Sequence, residues 1–215
     1  MINTILLIGN GKLSKSLQPY LTNYTVHIFD VNNIEELLLY KGDLLIDCSS
    51  SFSFDCIYNY LKNNKIKAII CSTGHTQNQI IKLKELSNTM PILKSENFSI
   101  GINLINKFIY ENKNILSSYD NYLFDYHHKN KKDSPSGTSK MLINSFYKEP
   151  TIYSIRSKDI IGIHKIQLFQ DNEEIEITHR ITSRDIFAKG ITQAITFINK
   201  KEQGFFSMGD LINEI

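Results

Sequence analysis

Two adjacent histidines, His127 and His128, are followed by Lys131 and then by a Pro-Ser-Gly-Thr turn at Pro135–Thr138. Lys131 stands four residues after His127, and Lys129 and Lys132 flank it. Histidine can deliver a proton near neutral pH, and lysine stabilises developing negative charge. Asp133 or Ser136 can cap a helix that opens in the turn, with Pro135 near its first turn. The N–H groups around Ser136, Gly137 and Thr138 would then point outward, a setting that suits a carboxylate, and Thr138 adds a hydroxyl donor. The chemistry is that of holding a small anionic acid and protonating it. Two plainer readings compete: a lysine-rich loop that is only a solvated surface, and paired histidines that merely fill a strand end. A histidine pair can also ligate metal, but no acidic or cysteine partner is read at ligand spacing, so no metal is expected.

A second set of residues points to a nucleotide. Gly9 and Gly11 in "LLIGNGKLSKSL" sit directly after an apolar run and before a helix-like segment. Glycine permits the tight turn and lets a phosphate approach the backbone, and the helix start offers free N–H groups. The dinucleotide fingerprint asks for a third glycine where this chain has Ser14. Asp30, at the end of the second apolar run, can accept hydrogen bonds from both ribose hydroxyls. It would also repel a 2′-phosphate, and the next cation along the chain is Lys41, so NADH is favoured over NADPH. Small hydroxyl residues in "DCSS" (47–50) and "CSTGH" (71–75) suit the lining of a nicotinamide crevice, or simple loop chemistry.

The elements that must position these residues are legible as a pattern. Short apolar runs at 4–9, 25–30, 44–49, 67–73 and 90–95 alternate with helix-like segments at 13–21, 34–40, 53–63 and 77–87. Continuous apolar strands between helices indicate a Rossmann-like, doubly wound parallel sheet with its ligand at the strands' carboxyl ends. From Gly101 the pattern changes. A long amphipathic helix over 101–117 precedes a strand leading into His127, a helix over 139–146, and alternating segments at 151–170 and 173–183. These indicate an α+β domain with a mixed, largely antiparallel sheet. A helix over 186–200 and the segment "GFFSMGDLI" close the chain. The expected division is a dinucleotide-binding domain at 1–99 and 185–215, and a substrate-binding and oligomerisation domain at 100–184. With a formal net charge of +2, neither a nucleic-acid nor a membrane partner is expected. Three cysteines without CxxC spacing argue against a disulfide framework or zinc site and fit a reduced, cytoplasmic setting.

Together the motifs resemble the 4-hydroxy-tetrahydrodipicolinate reductase (dihydrodipicolinate reductase) family. The resemblance rests on His127, His128, Lys131, Asp133 and Pro135–Thr138, and on "SENFSIGINL" (95–104), which is similar to the family's hinge segment. "CSTGH" resembles its Gly-Thr-Thr-Gly turn, with Cys71 in place of the first glycine. The resemblance implies an NAD(P)H-dependent oxidoreductase of lysine and diaminopimelate biosynthesis. It would reduce hydroxy-tetrahydrodipicolinate to tetrahydrodipicolinate with loss of water. It implies His127 as proton donor and Lys131 as stabiliser of charge. His128, Ser136, Gly137 and Thr138 would bind substrate. The cofactor contacts would be Gly9, Gly11, Lys12, Leu13, Asp30, Ser49, Ser72, Thr73, Gly74, Asn97 and Phe98. Hinges near 97–100 and 183–186, closure around the reactants and a homotetramer built through the sheet after Tyr153 are further implications. His164, His179 and Arg180, in that sheet, are expected to be sheet and interface residues. Two other readings remain open: a reductase of another small anionic imine or enone, and a non-catalytic oligomeric homologue.

Overall fold

The computed structural model describes residues 1–215. The chain divides into two compact units, 1–98 with 185–215 and 99–184.

The first unit is a six-stranded sheet in which every pairing is parallel. Its strands are β1 (Thr4–Ile8), β2 (Thr25–Phe29), β3 (Leu44–Asp47), β4 (Lys67–Ile70), β5 (Pro91–Lys94) and β10 (Gly204–Phe206). Their order across the sheet is β10-β5-β4-β3-β1-β2. Ile5–Ile8 and Leu44–Ile46 are 0% exposed. A strand covered on both faces must be apolar at every position, which is why these runs show no alternation. The helices are α1 (Lys12–Leu17), α2 (Phe54–Asn64), α3 (Gln77–Leu86), α6 (Asp185–Asn199) and α7 (Met208–Ile212). Thr76 and Gln79 form a reciprocal capping box that starts α3. α6 packs on α1, β4 and β5. It comes so close that a Cβ built on Gly190 would lie 1.7 Å from the Phe98 carbonyl oxygen. The Lys67 ammonium, at the start of β4, donates to the carbonyls of Ile198 and Lys201 and so holds the end of α6, where the helix dipole favours a cation.

Two elements differ from the sequence expectation. The segment 34–40 is a 3-10 helix over Ile34–Leu39, and α1 stops at Leu17 with a 3-10 turn at 18–20. Pro19 stands in that turn. The segment after α6 contributes a sixth strand, β10, three residues long and too short to carry a period.

The second unit is a four-stranded mixed sheet, β7-β6-β8-β9. Its strands are β6 (Asp120–His127), β7 (Thr151–Arg156), β8 (Gly162–Gln170) and β9 (Glu173–Ile181). β6 and β7 are parallel, joined through α5 (Gly137–Ile143), and the other two pairings are antiparallel. Burial along β6 alternates strictly. Asn121, Leu123, Asp125 and His127 face inward, and Tyr122, Phe124 and Tyr126 face the other way. The core joins α4 (Ile100–Leu116) and α5 to the inward face through Ile102, Ile109, Leu142, Leu123, Ile166 and Leu168.

Candidate functional sites

The inward face of β6 carries chemistry at its carboxyl end. Asp125 and His127 are two residues apart on one strand, so they share a face. Cross-strand register sets Ser154 on β7 and His164 on β8 opposite Asp125, His179 on β9 opposite His164, and Arg156 opposite His127. The result is a row of polar groups where the core would otherwise continue.

Asp125, 0% exposed, is the centre of that row. Its Oδ1 lies 2.7 Å from His127 Nδ1 and 3.8 Å from His164 Nε2. Its Oδ2 accepts from the Ser136 N–H at 2.8 Å and from Arg156 Nη2 at 3.1 Å. Burial pushes the Asp125 carboxyl up, but His127, the Ser136 N–H and the Arg156 guanidinium together hold it well below the usual carboxylate range. Arg156 also donates to the backbone carbonyls of Asp125, Asp133 and Ile155, which ties β7 to the loop before α5. His164 is buried beside His127, with ring centroids 5.4 Å apart. Burial, joined by the charge at His127, pushes its pKa down to about 3, so it is neutral. Its Nε2 lies 3.3 Å from Ser136 Oγ.

Ser136 is the N-cap of α5, its Oγ accepting the Ser139 N–H at 3.1 Å. The outward N–H expected at Ser136 is not found: it points inward and is taken by Asp125. Nor does the Gly137 N–H stand clear, because the Asp133 carboxylate faces it. Asp133 also pairs with Lys131 at 2.8 Å. Burial raises the Asp133 carboxyl, but Lys131 and the N–H groups of the helix start pull it below its ordinary value. The sequence chooses caps rich in oxygen, and those oxygens use the donors at the helix start. The structure thus gathers His127, Lys131, Ser136 and Gly137 around two of the chain's own carboxylates. Thr138 lies in the first turn of α5. His128 is half-buried, and its backbone carbonyl accepts the Lys131 N–H at 3.1 Å.

The expectation that no acidic partner lies at ligand spacing is corrected by Asp125. Donor atoms of Asp125, His127 and His164 lie within 4.8 Å of one another, the spacing of a metal site. Arg156 already offsets the Asp125 charge, and Lys131 adds a second cation nearby, which disfavours a further cation there.

The first unit holds a separate cleft of about 270 Å³ at the carboxyl ends of β1 and β3. Gly9, Gly11, Asp30, Cys48, Ser49 and Ser53 line it. Gly9 needs its glycine: φ is +98°, and a Cβ would lie 2.7 Å from the Cys48 carbonyl oxygen. At Gly11 a Cβ would meet nothing within 4 Å, so the backbone stands open to close approach. Lys12 is exposed and Leu13 half-buried at the start of α1. Asp30 Oδ1 accepts from the Asn32 N–H and side-chain amide, at 2.9 and 3.0 Å.

The hydroxyls of the next two strand ends turn inward. Asp47, 2% exposed, accepts from the Ser49 N–H, the Ser49 hydroxyl and the Ser72 hydroxyl. Ser72 is buried by that contact, with His75 Nε2 3.3 Å away, while Thr73 and Gly74 are exposed. Asn97 and Phe98 are buried, at 5% and 2%. The buried Asp47, which knits the ends of β3 and β4, was not singled out in the sequence, since nothing local distinguishes it from other strand-end acids.

Comparison with known proteins agrees with both halves of the chain. The family profile "Dihydrodipicolinate reductase, N-terminus" matches residues 11–98, and "Dihydrodipicolinate reductase, C-terminus" matches 101–212. A protein of Brachyspira hyodysenteriae named 4-hydroxy-tetrahydrodipicolinate reductase is 33% identical over 193 residues, covering 80% of this chain and 84% of the relative. A protein of that name from Rickettsia canadensis is 29% identical over 240 residues, covering 98% of each chain. The dipicolinate-bound dihydrodipicolinate reductase from Paenisporosarcina sp. TG-14 superposes with a TM-score of 0.78 at 20% identity, covering 100% of both chains. With a parallel α/β unit, a mixed-sheet unit carrying His127 and Lys131, and both family profiles matched, the chain belongs to the dihydrodipicolinate reductase family.

Proposed function

We propose that the protein reduces 4-hydroxy-tetrahydrodipicolinate to tetrahydrodipicolinate with loss of water, in the diaminopimelate route to lysine, using NAD(P)H. The observation that carries this reading is the convergence of His127, Lys131 and the start of α5 on two carboxylates, Asp125 and Asp133. Lys131 and the Gly137 N–H already satisfy one carboxylate, Asp133, and are donors that a substrate carboxylate can take over.

The cleft at Gly9, Gly11, Asp30 and Ser49 fits a dinucleotide, because Gly11 leaves backbone open beside the first turn of α1 and Asp30 presents an acid to a ribose. Lys12, Leu13, Ser72, Thr73, Gly74, Asn97 and Phe98 complete the proposed cofactor contacts. Ser72, Asn97 and Phe98 act through the backbone they fix, since their side chains are buried. When bound, reduced nicotinamide supplies the hydride. In the other unit, Gly137, Thr138 and His128 hold a substrate carboxylate, and Ser136 contributes as the N-cap that sets the start of α5, its own N–H staying on Asp125. Lys131 exchanges Asp133 for substrate and stabilises negative charge as it develops. His127 gives its Nε2 proton to the enamine-like carbon.

NADH is the favoured cofactor on the strength of Asp30. The outward aromatic face of the second sheet supports a homotetramer: Tyr122, Phe124 and Tyr153 stack there, with rings 5.2 and 6.5 Å apart, and Tyr153 is 48% exposed. A reduced, cytoplasmic setting accords with three free cysteines and with the absence of any helix long and apolar enough to cross a membrane.

The test is a coupled absorbance assay in which the preceding synthase forms the substrate in place and NADH or NADPH is supplied at equal concentration. Rapid oxidation supports the reaction, and no oxidation by folded protein overturns it. Asp30→Ala is expected to weaken NADH more than NADPH. An equal effect on both would remove the ribose-reading role.

A further inference from the structure

We propose that Asp125 is the positioning residue of this site. Its carboxylate holds His127 with Nδ1 inward and Nε2 toward substrate, and the same group anchors the start of α5. The inference rests on the reading that His127 is the proton donor.

A fully buried carboxylate is costly unless each oxygen is satisfied, so its partners reveal its task. Oδ2 is spent on Arg156 and the Ser136 N–H. Oδ1 faces two imidazoles and is closest to His127 Nδ1, at 2.7 Å against 3.8 Å for His164. An ionised carboxylate only accepts, so the nitrogen facing it at that distance carries the hydrogen. Neutral His127 is therefore the Nδ1–H tautomer, and the mobile proton of its imidazolium is the one on Nε2. Nε2 lies beside Gly162, where a Cβ would approach to 3.2 Å, so glycine keeps a side chain off that nitrogen.

The proton balance is simple. Nε2–H of the imidazolium passes its proton to carbon, the ring becomes neutral, and Nδ1–H stays on Asp125. The carboxylate keeps its charge throughout, and solvent returns a proton to Nε2. An acid that orients a proton-transferring histidine in this way also stabilises its charged form.

Arg156 alone would explain a buried carboxylate as a structural ion pair. It does not explain why the oxygen away from Arg156 meets the ring of the proton donor. The groups beside His127 are Asp125 on its own strand, Arg156 on β7 and His164 on β8, with His179 on β9 beyond His164; Lys131, paired with Asp133 on the loop before α5, adds its charge at His164. Asp125 is the only anion among them in direct contact with the ring.

The test uses the intact protein with ¹⁵N-labelled histidine and reads the tautomer and titration of His127 by long-range ¹H–¹⁵N correlation, assigned with His127→Gln. The expected result in the wild type is Nδ1–H in the neutral ring. An Nε2–H tautomer there overturns the proposal, with no dependence on how a variant folds. In Asp125→Asn, His127 should titrate at lower pH and kcat should fall by about 10²-fold or more. The limb of the kcat profile set by the donor should move to lower pH with it. Asp125→Glu should recover part of kcat. An Asn variant with unchanged kcat and unchanged His127 titration also overturns it. Wild-type protein that shows the expected tautomer but no turnover refutes the proposed reaction and leaves the Asp125–His127 pairing standing.

Discussion

Lys131 and His164 differ sharply within one crowded cluster. Lys131 is partly exposed and paired with Asp133, so it is free to change partner when an anion arrives. Lys131→Ala is expected to lower kcat by about 10²-fold while leaving NADH affinity near wild type, because removing one donor to developing charge has that size of effect. Stopped-flow turnover and fluorescence titration with NADH check both halves, and unchanged turnover would remove Lys131 from the mechanism. His164 is fixed and neutral. Its folded pKa of about 3 lies below the unfolded value near 6.5. The unfolded chain therefore binds the proton first, and stability falls as pH drops through that window. Half-buried His75 and His179, also pushed down by burial, add to the same trend. The slope from His164 approaches roughly 1.4 kcal/mol per pH unit once the unfolded ring is charged. Urea midpoints between pH 6.5 and 4 should show it, and His164→Gln should flatten it. Lys131 and His127 were legible because their types and spacing are local. Asp125 was within reach, since a period of two on a strand puts it beside His127. Arg156 and His164 were not, because only the pairing of β7 and β8 with β6 brings them in.

Elements obeyed the sequence where the pattern was long. The buried strands and α4 fall within a few residues of their apolar runs, because full burial leaves no choice of residue class. Short elements escaped it: β10 has three residues and the 34–39 helix is a 3-10 turn series. The glycine that matters most to packing was equally silent. Gly190 sits inside α6, where helix propensity alone would prefer alanine. The 1.7 Å approach to the Phe98 carbonyl reverses that preference, since a backbone oxygen cannot rotate aside. Gly190→Ala should therefore cost at least about 2 kcal/mol, against a small gain expected for an exposed helix. Urea denaturation followed by circular dichroism checks it, and a stabilised variant would mean that α6 shifts freely on its neighbours.

At the scale of the whole molecule, the outward face of the mixed sheet is the feature a monomer explains least. A stacked aromatic strip on Tyr122, Phe124 and Tyr153 is the kind of surface that self-association covers. Tyr153→Lys with Phe124→Lys should lower the mass measured by analytical ultracentrifugation below that of a tetramer. Wild-type protein that sediments as a monomer would refute the assembly directly. The division of the chain carries a different consequence, one for synthesis. The parallel unit is built from residues 1–98 and 185–215, with 99–184 made in between. When Phe98 leaves the ribosome, the edge of β5 has no β10, and the faces of α1, β4 and β5 have no α6. At about 5–20 residues per second, that apolar surface and that unpaired edge stay uncovered for on the order of ten seconds. The nascent parallel unit therefore exposes the kind of surface that chaperones bind over that interval, and the mixed-sheet unit, contiguous in sequence, is the half that can finish folding first.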